Sequence, residues 1–158
     1  MKKILIGSDK SGFPLKEVIK EHLSERGYEV CDCGTTDLEE PMGFFIVAPN
    51  AAQKIQNKEF ERAILICGTG MGMAVVANKY QGVYAAVCEN TYAAEKCRAI
   101  NDANVLTLGG WITGEVAGCA IADKFLETGF TENLEEWRQD FLRNAREKVK
   151  EIEASIYR

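Results

Sequence analysis

The 158-residue chain has little of several things that would classify it at once. No stretch nears the roughly 20 consecutive apolar residues a bilayer span requires, so no membrane partner is expected. The opening MKKILIGSD is too short in apolar residues for a secretory leader, and a cytoplasmic enzyme or binding module is the expectation. Basic residues do not outnumber acidic ones: 19 Lys and Arg against 24 Asp and Glu leave a net charge of -5. That balance argues against nucleic acid or an anionic membrane surface as the main partner, though not against a small anionic substrate held in a local field. No C-x-x-C occurs among the six cysteines (Cys31, Cys33, Cys67, Cys88, Cys97, Cys119), and the close pair Cys31-Asp32-Cys33 falls short of a zinc ligand set. The thiols read as reduced, and most of them as small core hydrophobes. Histidine is down to one, His22, set mid-helix on an apolar-facing pattern and read as a core or partly exposed residue rather than a catalytic one. No linker, repeat or low-complexity tract interrupts the chain.

What is present is an ordinary globular mixture, 46% apolar and 27% charged, in a length that suits one domain over 1–158. Short apolar runs alternate with helical patterns. Strands are expected over 3–7, 28–33, 62–67, 84–88 and 105–108. Helices are expected over 13–26, 44–57 (weakened by Pro49), 71–79, 92–100 and 115–127, with a last long one from 134 to the end. Strand–helix alternation of this kind predicts an α/β fold: a three-layer Rossmann-like sandwich around a five-stranded parallel sheet, with a long C-terminal helix. Along that last helix Trp137, Phe141, Ala145, Val149, Ile152 and Ile156 form one apolar stripe, and 131–158 is expected to pack on a partner subunit.

Open parallel sheets bind ligands at the carboxyl ends of their strands. The rule selects Ser8-Asp9-Lys10, Gly34-Thr35, Cys67 to Gly72, and Glu89-Asn90. Residues 101–104 precede the fifth strand at the opposite end and could reach a ligand only from a neighbouring subunit. In Cys67-Gly68-Thr69-Gly70-Met71-Gly72 a buried strand opens into a helix through three glycines, whose successive N–H groups make a nest for an anion. A cysteine at the head of such a nest has its thiolate favoured, which sets a base or nucleophile beside an oxyanion site, as carbonyl chemistry requires. A dinucleotide fingerprint ranks lower: Glu89 suits a ribose-binding acid, but the last glycine position holds Met73. A tight turn with a buried thiol is the plain alternative, and the three glycines tip the balance against it.

SDKSGFPLK after the first strand, CGT after the second, ILICGTGMGMAVVANK and NDANVLTLGG together resemble the type B ribose-5-phosphate isomerases. They resemble equally their relatives, the galactose-6-phosphate isomerase subunits, over residues 3–130. The resemblance implies an aldose–ketose isomerase that works on a small phosphorylated sugar through a cis-enediolate, with no metal or organic cofactor. By that analogy Cys67 is the base, Gly68, Gly70, Met71 and Gly72 supply amides to the enediolate, and Asp9 and Thr69 handle hydroxyl protons. Asn101 would come from a partner subunit, in a homodimer or tetramer with shared sites.

The sequence departs from the family at informative places. Ile100 stands where the family has the histidine that opens the sugar ring, and Lys10 stands where a second active-site histidine falls. Of two phosphate arginines, the first falls on Leu134 and the second on Arg138, with Lys10 able to replace some of the lost charge. The acidic-aromatic-proline triplet before the second helix is Gly43-Phe44-Phe45, a more apolar wall. Two readings follow. Either the substrate needs no ring opening, as for a tetrose whose fourth oxygen carries phosphate, or a hetero-partner chain brings the missing histidine. A non-catalytic phosphosugar-binding homologue is the further alternative.

Overall fold

The computed structural model describes residues 2–158. Its elements follow the alternation: β1 (Lys3–Ser8), α1 (Phe13–Glu25), β2 (Glu29–Asp32), α2 (Phe44–Gln56), β3 (Ala63–Cys67), α3 (Met71–Ala77), β4 (Ala85–Val87), α4 (Thr91–Ala99), β5 (Val105–Gly109), α5 (Glu115–Glu127) and α6 (Glu136–Ile156). The strands form one sheet in the order β2-β1-β3-β5-β4, every pair parallel. Register sets Leu5 beside Ala63 and Cys67 beside Gly109.

Alternation along the strands sorts their side chains into two cores, as a sheet covered on both faces requires. Ile4, Ile6, Ile64, Ile66, Leu106 and Leu108 meet Leu15 and Ile19 of α1, Ala94 of α4, and Ile121 and Phe125 of α5. Leu5, Leu65 and Cys67 face the other way, against Val47, Ala51 and Ile55 of α2 and Met73 and Ala77 of α3. The expected three-layer sandwich is therefore the one observed. Pro49 does not weaken α2 as anticipated: the helix runs unbroken through it, because Val47, Ala48, Ala51, Ala52 and Ile55 anchor that face in the core. The long C-terminal helix begins at Glu136, two residues after the expected start at Leu134.

One buried cation organises the ends of β1 and β2. Lys16 is fully buried, yet its ammonium sits 2.6 Å from Asp32 and donates to the Thr35 carbonyl. Thr35 in turn donates its amide to Ser8 at 2.8 Å, tying the loop after β2 to the end of β1.

α6 lies across the other end of the sheet. Leu142 is its buried residue, Arg146 pairs with Asp102 at 2.9 Å, and Glu153 accepts from the Gly82 amide at 2.6 Å and the Tyr84 hydroxyl at 2.9 Å. Its apolar stripe of Trp137, Phe141, Val149, Ile152 and Ile156 faces outward. Among the described residues no helix is long and apolar enough to cross a membrane.

Candidate active site

β1 leads sideways to β2, whereas β3 leads the opposite way to β5 and β4, so the chain reverses direction between β1 and β3. Loops leaving such a switch point diverge and open a crevice. Asp9 and Lys10 follow β1, and Cys67 ends β3; the Asp9 amide donates to the Ile66 carbonyl at 3.3 Å, stitching the two loops together.

Cys67 is 5% exposed, on the side of the sheet covered by α2 and α3. Its sulfur does not lie in hydrocarbon alone: Sγ accepts the Gly70 amide at 3.1 Å. Gly70 makes this possible with a φ of 77°, in the left-handed region, and a Cβ there would come within 2.9 Å of the Leu108 carbonyl carbon. The Met71 amide donates to Thr69 Oγ1 at 3.3 Å. Among the described residues the amides of Gly68, Thr69 and Gly72 donate to no protein group, leaving a cradle of free N–H donors beside the thiol. The geometry can hold a developing oxyanion and, next to it, a group able to take a proton from carbon.

Asp9 has two duties available. Its Oδ1 accepts the Gly12 amide at 2.9 Å, fixing the start of α1, while Oδ2 has no partner among the described residues. Lys10 is exposed and forms no ion pair among the described residues. A single chain thus brings together Asp9, Lys10, Cys67, Gly68, Thr69, Gly70, Met71 and Gly72. It does not bring Asn101 or Arg138 to them. Ile100 and Asn101 line a small cavity of about 80 Å³ with Leu142, Ala145 and Arg146 of α6, and Arg138 lies one turn before Leu142. That end of the molecule abuts the amino ends of β4 and β5.

His22, on α1, is partly exposed, as expected, with Nε2 2.9 Å from the Asp123 carboxylate of α5. Glu89 is exposed just ahead of α4, whose cap is Asn90 accepting from Ala93 at 2.8 Å. Among the described residues no group of three or more His, Cys, Asp or Glu could hold a metal ion. Two clefts, of about 450 and 520 Å³, lie at the amino ends of the strands around Lys58, Phe60 and Arg62, and contain none of the candidate residues.

Sequence reasoning passed over Trp111 and Lys16. Trp111 was findable, since the rule that selects strand ends applies equally to β5, which closes on Gly109-Gly110-Trp111. Nothing local marks Lys16, whose role depends on Asp32, 16 residues away.

A parallel sheet between helix layers, with a thiol and a glycine loop at its switch point, is the architecture of a Rossmann-like α/β enzyme. The Ribose/Galactose Isomerase family model matches residues 4–142, and the chain belongs to that family as one of its isomerases. It is 70% identical over 156 residues to a 4-deoxy-4-sulfo-D-erythrose isomerase of Clostridium sp. (strain MSTE9), covering 99% of this chain and 98% of that one. It is 34% identical over 149 residues to a D-erythrulose-4-phosphate isomerase of Pectobacterium atrosepticum, covering 85% and 98%. Among solved structures, ribose-5-phosphate isomerase B of Clostridium thermocellum superposes with a TM-score of 0.87 at 38% identity, covering 98% of this chain and 99% of that one.

Proposed function

We propose that the protein interconverts a four-carbon aldose and its ketose through a cis-enediolate, and that the substrate carries a sulfonate on carbon four, as 4-deoxy-4-sulfo-D-erythrose does. The observation that carries the reading is the Cys67 sulfur seated on the Gly70 amide, 3.1 Å away, beside the Gly68, Thr69 and Gly72 amides that donate to no protein group among the described residues. Cys67 as thiolate takes the C2 proton of the aldose and returns it to C1. The proton on O2 passes to O1 by way of Asp9 and Thr69, so the reaction is balanced without redox partner or cofactor. The amides of Gly68, Thr69 and Gly72 serve the enediolate oxygens, whereas those of Gly70 and Met71, expected to do the same, are taken up by Cys67 Sγ and Thr69 Oγ1. General base catalysis by such a group is worth roughly 10²–10⁴ in rate, and the cradle and positioning supply the remainder.

Two substitutions favour this substrate over a pentose or hexose phosphate. Ile100 occupies the place of the ring-opening histidine. A tetrose whose fourth carbon bears sulfur has no hydroxyl there to close a furanose, so it needs no ring-opening acid. Leu134 occupies the place of one phosphate arginine. A sulfonate carries a single negative charge where a phosphate ester carries about 1.5 to 2, so Arg138 and Lys10 suffice. In this reading the site is completed in an oligomer: Asn101 and Arg138 come from a neighbouring copy, and the outward stripe of α6 packs between subunits. The high identity to the sulfo-erythrose isomerase supports the same substrate.

The test is exchange of solvent deuterium at the carbon next to the carbonyl, followed for 4-deoxy-4-sulfo-erythrulose, erythrulose 4-phosphate, ribulose 5-phosphate and tagatose 6-phosphate. The four-carbon sugars are expected to exchange fastest, with the sulfonate ahead of the phosphate. No exchange with any four-carbon sugar, or preference for the hexose, overturns the proposal.

A further inference from the structure

We propose that Trp111 sets the length of sugar the enzyme accepts, closing one end of the cradle so that four carbons fit and five do not; this rests on the cradle being the substrate site. Trp111 is 74% exposed, unusual for so large an aromatic side chain, but it is not loose. Gly110 donates its amide to the Cys67 carbonyl at 2.8 Å, and Trp111 donates its own to the Gly68 carbonyl at 2.9 Å. These consecutive bonds fix the end of β5 onto the loop that carries the thiol. The indole then lies on Gly68, so closely that a Cβ there would stand 2.7 Å from Cε3 and 2.8 Å from Cδ2 and Cζ3. Main chain and side chain both hold the ring at the cradle's first residue.

The opposite end is closed in the same manner. The Phe44 ring lies where a Cβ on Gly72 would be 3.0 Å from Cδ2, and Phe45 braces Phe44 edge-on, with centroids 5.5 Å apart at 78°. The free amides of Gly68, Thr69 and Gly72 therefore sit between two aromatic walls. Amides suit the oxygens of an enediolate; the phenyl rings of Phe44 and Phe45 offer a further carbinol no hydrogen-bond partner, and the indole offers only its single N–H. A fifth carbon would have to crowd the indole or push the ring off Gly68. The glycine at 68 and the tryptophan at 111 thus act together, one leaving the space that the other fills.

Erythrulose 4-phosphate and ribulose 5-phosphate suit the experiment, because both are ring-free ketose phosphates differing by one carbinol. Measured on the assembled enzyme, Trp111→Leu is expected to raise the five-carbon to four-carbon ratio of kcat/KM at least tenfold, about what one misfitted carbon unit is worth in a pocket. The change should come through a lower KM for the five-carbon sugar, and Trp111→Phe, which keeps a ring, should hold the wild-type ratio. An unmoved ratio in Trp111→Leu overturns the inference. Wild-type enzyme inert towards every four-carbon sugar overturns instead the function on which it rests. Should the leucine variant not fold, Trp137→Phe leaves Trp111 as the one tryptophan, and saturating erythrulose 4-phosphate should shift its emission. Emission unchanged by bound sugar overturns the inference equally.

Discussion

In the proposed reaction Cys67 and Asp9 each handle a proton, and each also has a structural duty that a substitution can separate. Cys67 belongs to the core beneath α2 and α3, so serine, close in size, is the cleaner replacement than alanine. Cys67→Ser is expected to lower kcat by roughly 10²–10⁴, the usual worth of a positioned base, while a bound four-carbon ligand still raises the melting temperature. Exchange by NMR and a thermal shift read the two properties independently. For Asp9, the bond from Gly12 to Oδ1 is the structural half and the unpartnered Oδ2 the chemical half. Asp9→Asn keeps an acceptor for Gly12 and should leave stability within about 0.5 kcal/mol while turnover falls. Asp9→Ala loses both, with a stability cost of about 0.5–2 kcal/mol in urea unfolding. Full activity in Asp9→Asn would leave Asp9 with the loop-fixing role alone.

At the level of elements, two polar attachments hold the ends of the sheet. The ammonium of Lys16 is shared by Asp32 and the Thr35 carbonyl inside the protein, with Lys20 as a second, more exposed partner of Asp32 at 3.2 Å. Lys16→Met leaves Asp32 with the Gly34 amide and the outer Lys20, strips the Thr35 carbonyl of its ammonium, and should destabilise by about 3 kcal/mol. Because Thr35 is bonded to Ser8, the loop bearing Asp9 should loosen too, visible as faster amide exchange at Ser8 and Asp9. At the opposite end, burial and the adjacent Glu153 carboxylate push the Tyr84 phenol up from 10.0 to about 12. The folded chain holds this proton more tightly than the unfolded one. The resulting stabilisation is complete below pH 10 and is lost as pH rises through about 12, where a phenolate would face the Glu153 carboxylate. Urea midpoints measured between those limits should fall more steeply for the wild type than for Tyr84→Phe, and parallel curves would remove Tyr84 from the attachment of α6.

For the whole molecule, the proposed function turns on two ends that one chain keeps apart. Cys67 and Asp9 stand at the carboxyl ends of the strands; Ile100, Asn101 and Arg138 stand at the other end with α6. If copies meet so that each end completes the other, a chain disabled at Cys67 and a chain disabled at Asn101 can rescue one another. Cys67→Ser and Asn101→Ala, each inactive alone, should on unfolding and refolding together regain about a quarter of wild-type activity, the share of intact sites in a randomly mixed dimer. No rescue would place each site within one subunit. Phe141→Glu, in the outward stripe of α6, should lower both assembly size in sedimentation and turnover together.

Much of this molecule is written in local patterns. Two-residue alternation and short apolar runs mark the five strands, helical spacing marks the segments between them, and Cys67 with its glycines announces a strand opening into an anion cradle, because each depends on neighbours in the chain. The stripe of α6 is equally plain, since its residues recur at helical spacing whether or not anything covers them. Strand order is different in kind. That β5 inserts between β3 and β4 follows from pairing across the sheet, and no window of sequence contains it. The same holds for a lysine buried against an aspartate on another element, for an indole laid on Gly68 from β5, and for the distance between Asn101 and the thiol. Each is a meeting of residues far apart in the chain, so only the folded sheet, which chooses neighbours by packing rather than by succession, could decide it.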